Sequence, residues 1–201
     1  MNDYYQTLPT ASEGFYKEKG SKFLAFAYPV VSEESVKAQL DELKKLHYNA
    51  RHHCYAFILK PTEGQEETYR ASDAGEPPHS AGDPILGQIR SRQLHDVLVV
   101  VVRYFGGTKL GVSGLIHAYK TAAEDSLANN TIIKKYIEQS FTLEFDYTAT
   151  SGVMQIIDQY QVTILDQVFV ENCQYQLSVR ISQYDAVVKL FTELAQVSVK
   201  L

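Results

Sequence analysis

The sequence predicts an α+β protein of two domains, on three observations. Val97–Val102 is an unbroken apolar run, too short to span a membrane, which reads as a strand buried on both faces. Residues 141–147 alternate apolar and polar side chains, the pattern of a strand with one buried face. Between such segments, apolar residues recur at helical spacing in both halves of the chain.

The first half opens with a strand from Lys22 to Val31. Ser32, followed by Glu34 and Ser35, starts a helix that runs to about Leu46. Arg51 to Lys60 is a strand, and Glu63 to Asp83 is a polar, turn-rich connection. Asp83 is placed to cap a helix with Pro84 in its first position, and Ile85, Leu86 and Ile89 form its apolar side. The Val97 strand and a helix from about Leu115 to Leu127 complete a unit of two or three helices on a sheet. Asn129-Asn130 marks the boundary, giving domains 1–130 and 131–201.

The second half has a clearer rhythm. Phe141, Leu143, Phe145 and Tyr147 form one strand face, and Thr150 or Ser151 caps a helix with Val153, Ile156, Ile157 and Tyr160 inward. Val162–Val170 is a strand, Glu171-Asn172 a turn, and Cys173–Ile181 a strand with alternate apolar residues. Tyr184, Val187, Val188, Phe191 and Leu194 make a second helix, and Val197–Val199 the last strand. The order βαββαβ suits a ferredoxin-like open sandwich. RNA-recognition motifs share it but stack bases on open-face aromatics of the third strand. Here those positions are Gln174, Gln176, Ser178 and Arg180, which excludes that reading and leaves packing or partner docking.

A net charge of −5 argues against a protein that coats nucleic acid over its whole surface. The charge is uneven, however. Arg90, Arg92, Arg103, Lys109 and Lys120 face only Asp96 between Gln88 and Ala123, whereas five basic residues face eight acidic ones from Thr131 onward. Two distant cysteines fit reduced thiols in a cytoplasm, and neither a signal peptide nor a membrane span is read in the sequence.

The Val97 strand runs into four glycines, Gly106, Gly107, Gly111 and Gly114, and then into a helix. Unpaired backbone N–H groups at a helix start attract anions, and Arg103 and Lys109 bracket this loop. The spacing is neither a Walker A loop nor a dinucleotide fingerprint, and Gly111-Val112-Ser113-Gly114 matches the G-x-x-G of KH domains only outside its usual helix–helix setting. Two readings stand: a tight strand-to-helix connection, or a phosphate or RNA-backbone site built from Arg103, Gly106, Gly107, Lys109, Gly111, Ser113 and Gly114.

Two further segments supply a possible cleft. Ser72, Asp73 and Glu76 lie with His79 and Ser80 in a turn whose composition also suits plain capping. Arg51, His52 and His53 open a strand, and alternation sends the two histidines to opposite faces, with His52 beside Cys54 and His53 beside Tyr55. No metal site and no cofactor are expected from these spacings.

Ser21-Lys22-Phe23, Arg51-His52-His53-Cys54, Ser72-Asp73-Ala74-Gly75-Glu76-Pro77, Ala81-Gly82-Asp83-Pro84-Ile85-Leu86, and Arg103-Tyr104-Phe105-Gly106-Gly107 with Lys109-Leu110-Gly111 occur in that order. Together, over about residues 17–128, they resemble the YigZ/IMPACT family in its bacterial two-domain form. The resemblance implies an N-terminal domain like the second domain of ribosomal protein S5. It implies a ferredoxin-like C-terminal domain like domain V of elongation factor G. It also implies a cytoplasmic, translation-associated regulator with RNA, the ribosome or a translation factor as partner. Departures fall at Ala74, at Pro78-His79-Ser80 and at Ser113-Gly114-Leu115-Ile116-His117, so neither His79 nor His117 is carried over as functional. The alternative is a peptidase-like hydrolase of small molecules using Asp73, Glu76 and a histidine at the same cleft.

Overall fold

The computed structural model describes residues 3–61, 67–169 and 171–200. Residues 62–66, at the start of the expected polar connection, and Val170, at the end of an expected strand, lie outside them. The chain divides into two compact units: Tyr5–Lys135, and Tyr136–Leu201 together with the first four residues.

The elements run β1 (Tyr4–Thr7), β2 (Ser12–Glu18), β3 (Ser21–Pro29), α1 (Glu33–Leu46), β4 (His52–Leu59), β5 (Thr68–Ser72), α2 (Gly82–Ser91), β6 (Val97–Tyr104), α3 (Gly111–Ala128) and β7 (Ile133–Tyr136). Strands β2-β3-β6-β4-β5 form one sheet with every neighbouring pair antiparallel, and β1 pairs with β7.

The buried run of β6 shows why a continuous apolar sequence was needed. Val97, Val99 and Val101 enter one core with α2 and α3, while Leu98, Val100 and Val102 enter a second core with Val36, Leu40 and Leu43 of α1. The sheet is therefore covered on both faces, and alternation along β6 divides the two cores. α1 begins as its sequence dictates: Ser32 and Ser35 exchange hydrogen bonds between side chain and backbone N–H, at 3.2 and 3.1 Å.

Two helix starts differ from the sequence expectation. α2 begins at Gly82 with Ala81 at the cap position, so Asp83 lies inside the first turn and the capping is supplied from elsewhere. α3 begins at Gly111 rather than near Leu115; Gly111 has φ +73°, which turns the chain into the helix where another residue would be strained. Strands β2 and β5 were not read in the sequence because each is a sheet edge with partly exposed side chains.

The second unit runs β8 (Glu138–Phe145), α4 (Thr150–Tyr160), β9 (Thr163–Phe169), β10 (Cys173–Arg180), α5 (Tyr184–Glu193) and β11 (Val197–Lys200). Its sheet order is β11-β8-β10-β9, all antiparallel. Val153, Ile156 and Ile157 of α4 and Val187 and Phe191 of α5 pack on Phe141, Leu143, Phe145, Tyr175 and Leu177. On the other face, Gln174 and Gln176 are exposed as expected. Ser178 is buried, donating to Glu138 at 2.9 Å, and Arg180 lies 3.6 Å from the Tyr136 ring centre. Among the described residues no helix is long and apolar enough to cross a membrane.

Candidate functional site

Register brings the first candidate residues together. His52 on β4 and Phe23 on β3 both pair with Arg103 at the end of β6. Strand parity puts all three on the face covered by α2 and α3. His53, one residue on, turns to the opposite face, where its Nε2 is buried without a partner. Burial, then the charges of His47 and Lys44, hold its pKa below the usual histidine value.

Arg103 is not the free cation its sequence position suggested. Its side chain is buried, and Nη1 donates to Glu76 Oε1 at 2.6 Å. Tyr119 from α3 donates its hydroxyl to the same oxygen at 2.8 Å. Burial foremost raises the Tyr119 pKa, so the phenol stays a donor. His52 Nδ1 lies 3.0 Å from the Ala74 carbonyl, which can only accept, so Nδ1 carries the proton and Nε2 faces Glu76 Oε1 at 4.0 Å.

Asp73 is likewise committed. Its Oδ1 accepts from the N–H groups of Ala81 and Gly82, and its Oδ2 from that of His79, each at 2.9 Å. Asp73 is thus the missing cap of α2, reaching back across the turn. Burial pulls its pKa up, but the three N–H donors outweigh it and hold the carboxyl below its ordinary value. Ser80 donates to the Pro77 carbonyl at 2.6 Å, and Ser72 ends β5 opposite Tyr55. The hydrolase reading needs Asp73 and Glu76 as working carboxylates, and both are occupied in holding the fold.

A cavity of about 590 Å³ opens beside this network, lined by Asn49, Arg51, His52, Arg103, Tyr104, Phe105 and Lys109. No carboxylate lines it. Among the described residues neither Arg51 nor Lys109 has an ion-pair or hydrogen-bond partner, and the buried Nε of Arg103 has none. Four of the sequence candidates, Arg51, His52, Arg103 and Lys109, therefore meet at one concave surface.

The glycines divide. Gly106 is a packing residue: a Cβ there would lie 1.9 Å from the Gly20 carbonyl carbon, and its N–H donates to Ser21 Oγ at 3.1 Å. Gly107 has φ +89° in open space. Gly111 and Ser113, exposed, and Gly114, half-buried, belong to the first turn of α3, which no side chain caps, and none of them lines the cavity. Asn49 and Tyr119 are not marked by the sequence, and Tyr104 and Phe105 enter it only as part of the Arg103–Gly107 motif, with no site role. The signal the sequence offers is that two aromatics, Tyr104 and Phe105, follow directly on a continuous apolar strand. Among the described residues no cluster of three or more metal-capable side chains forms.

Residues 19–127 match the model of the Impact N-terminal domain. An IMPACT family member of Haemophilus influenzae is 34% identical over 188 residues, spanning 92% of this chain and 90% of that protein. The IMPACT family member YigZ of Escherichia coli is 32% identical over 149 residues, spanning 74% and 72%. A crystal structure of a hypothetical protein superposes with a TM-score of 0.73 at 23% identity, covering 100% of this chain and 98% of that one, a likeness of fold. A structure of the two-domain translational regulator Yih1 is 30% identical, covering 65% of this chain and 48% of that one, with a TM-score of 0.38. From the domain match and these sequence identities, the chain belongs to the IMPACT family.

Proposed function

We propose that this chain is a translation-associated regulator that binds RNA through the cationic cavity of its first unit. The observation that carries this reading is the convergence of Arg51, His52, Arg103 and Lys109 on one concave surface with no carboxylate in its lining. Arg51 and Lys109 are the free charges and pair phosphate oxygens; Arg103, neutralised by Glu76, holds the wall in place. The uncapped first turn of α3, with Ser113 and Gly114, is a second anion-attracting point outside the cavity. Kinship in sequence with Yih1, described as a translational regulator, supports the translational setting.

The fold labels belong to the same proposal. Sheet order β11-β8-β10-β9 with two intervening helices supports a ferredoxin-like second unit. The five-stranded sheet with α2 and α3 on one face is the unit we read as like the second domain of ribosomal protein S5. Titration of a fluorescent ribosomal RNA fragment tests the function: Lys109→Glu weakens binding at least about tenfold, since charge reversal both removes one phosphate contact and repels. Equal affinity of wild type and variant rejects it.

A further inference from the structure

We propose that the cleft selects single-stranded RNA by stacking an unpaired base on Phe105; this rests on the anion-binding reading above and names the ligand it accepts. Two cavities meet at Tyr104 and Phe105. The cationic one lies to one side. On the other is a cavity of about 600 Å³ lined by Phe15, Gly20, Lys22, Leu24, His47, Tyr104 and Phe105, apolar in character with a lysine among its walls.

Phe105 is 58% exposed and Phe15 49%, both large aromatic surfaces left in water. The Phe105 ring is nevertheless held. The Arg103 guanidinium carbon lies 5.6 Å from its centre, and Arg103 is itself fixed by Glu76. On the chain before it, the Tyr104 hydroxyl is within 2.9 Å of His47 Nδ1. On the chain after it, Gly106 is seated against Gly20 and Ser21. An exposed ring whose flanking residues are anchored and which rests beside a fixed guanidinium loses little freedom when a flat partner covers it.

A nucleotide places a flat π-face a few ångströms from an anionic phosphate. The adjoining apolar and cationic cavities repeat that alternation, and Lys22 extends it. Only an unpaired base can present its face to a side chain, so a duplex is excluded from this contact.

The test uses the full chain and two probes of about ten nucleotides, long enough to cover both cavities. One is oligouridylate; the other is an abasic oligomer with the same phosphates. The proposal predicts that wild type binds oligouridylate about tenfold tighter than the abasic probe. Phe105→Ala abolishes that preference by weakening oligouridylate alone, and Phe105→Trp restores it, with denaturation midpoints showing that both variants fold. Equal loss for both probes, or no loss for either, overturns base stacking while the anion-binding reading survives. Failure of wild type to bind either probe overturns both.

Discussion

Arg103 and Glu76 form a buried ion pair, Nη1 to Oε1 at 2.6 Å, between the end of a central strand and a loop 27 residues earlier in the chain. The pair, with the Tyr119 hydroxyl on the same oxygen, ties β6, α3 and the loop before α2 together behind Arg103, the member of this network that lines the cationic cavity alongside His52. Breaking a buried pair leaves an uncompensated charge, so Glu76→Ala is expected to lower the unfolding free energy by about 3–5 kcal/mol. Tyr119→Phe removes one charge-assisted hydrogen bond and costs about 1.5–3 kcal/mol. Urea unfolding measures both, and the Glu76→Leu, Arg103→Met double variant loses less than the sum of its singles because no orphan charge remains.

Asp73 links stability to acid. Its folded pKa is depressed, with burial opposing and the three backbone donors prevailing. A depressed carboxyl contributes stability that is complete above its unfolded value and is lost as pH falls through the folded one. Asp73→Ala is therefore expected to cost about 1–2 kcal/mol at neutral pH, as a lost helix cap does. The variant's stability should fall less than that of wild type as the solution is acidified below about pH 4. Thermal unfolding across that range checks the sign.

Neighbouring glycines separate packing from backbone conformation. Gly106→Ala drives a Cβ into the Gly20–Ser21 backbone, within 2.1 Å of Ser21 N, and is expected to destabilise by more than about 2 kcal/mol. Gly107→Ala meets nothing within 4 Å and is penalised only for its positive φ, at about 1 kcal/mol. Parallel denaturation of the two variants should rank them in that order.

Cys54 is buried, donates its thiol to the Asp73 carbonyl at 2.9 Å, and has its pKa pushed up to about 12, chiefly by burial. Thiolate is the reactive form, so the native protein should resist alkylation at Cys54 and react only once unfolded. Mass spectrometry after a short iodoacetamide pulse, with and without urea, reads this directly.

What the sequence made legible follows from local rules. Alternation along Arg51–Lys60 is enough to put His52 and His53 on opposite faces, because neighbouring strand residues must point apart, but only the fold shows that the face of His52 is the one covered by α2 and α3. The unbroken apolar run of β6 likewise announced two covered faces. The contacts that build the site were not legible in the same way. Glu76 meets Arg103 and Tyr119 only after the loop folds back on the sheet, and no local spacing encodes a partner 27 or 43 residues away. Asp73 caps α2 from outside the helix, so Asp83, in the place where a local cap is ordinarily found, drew the assignment instead. Gly111 opens α3 despite glycine's poor helix propensity, which hid the first turn.

The cationic cavity is tested most directly by the salt dependence of binding to single-stranded RNA. With Arg51 and Lys109 as the two phosphate-pairing groups, the logarithm of the association constant should fall with the logarithm of salt concentration at a slope of about −1.4. Lys109→Gln should reduce that slope to about −0.7, as one released counterion is lost. Binding whose affinity is independent of salt, or whose slope is the same in Lys109→Gln as in wild type, would contradict the account.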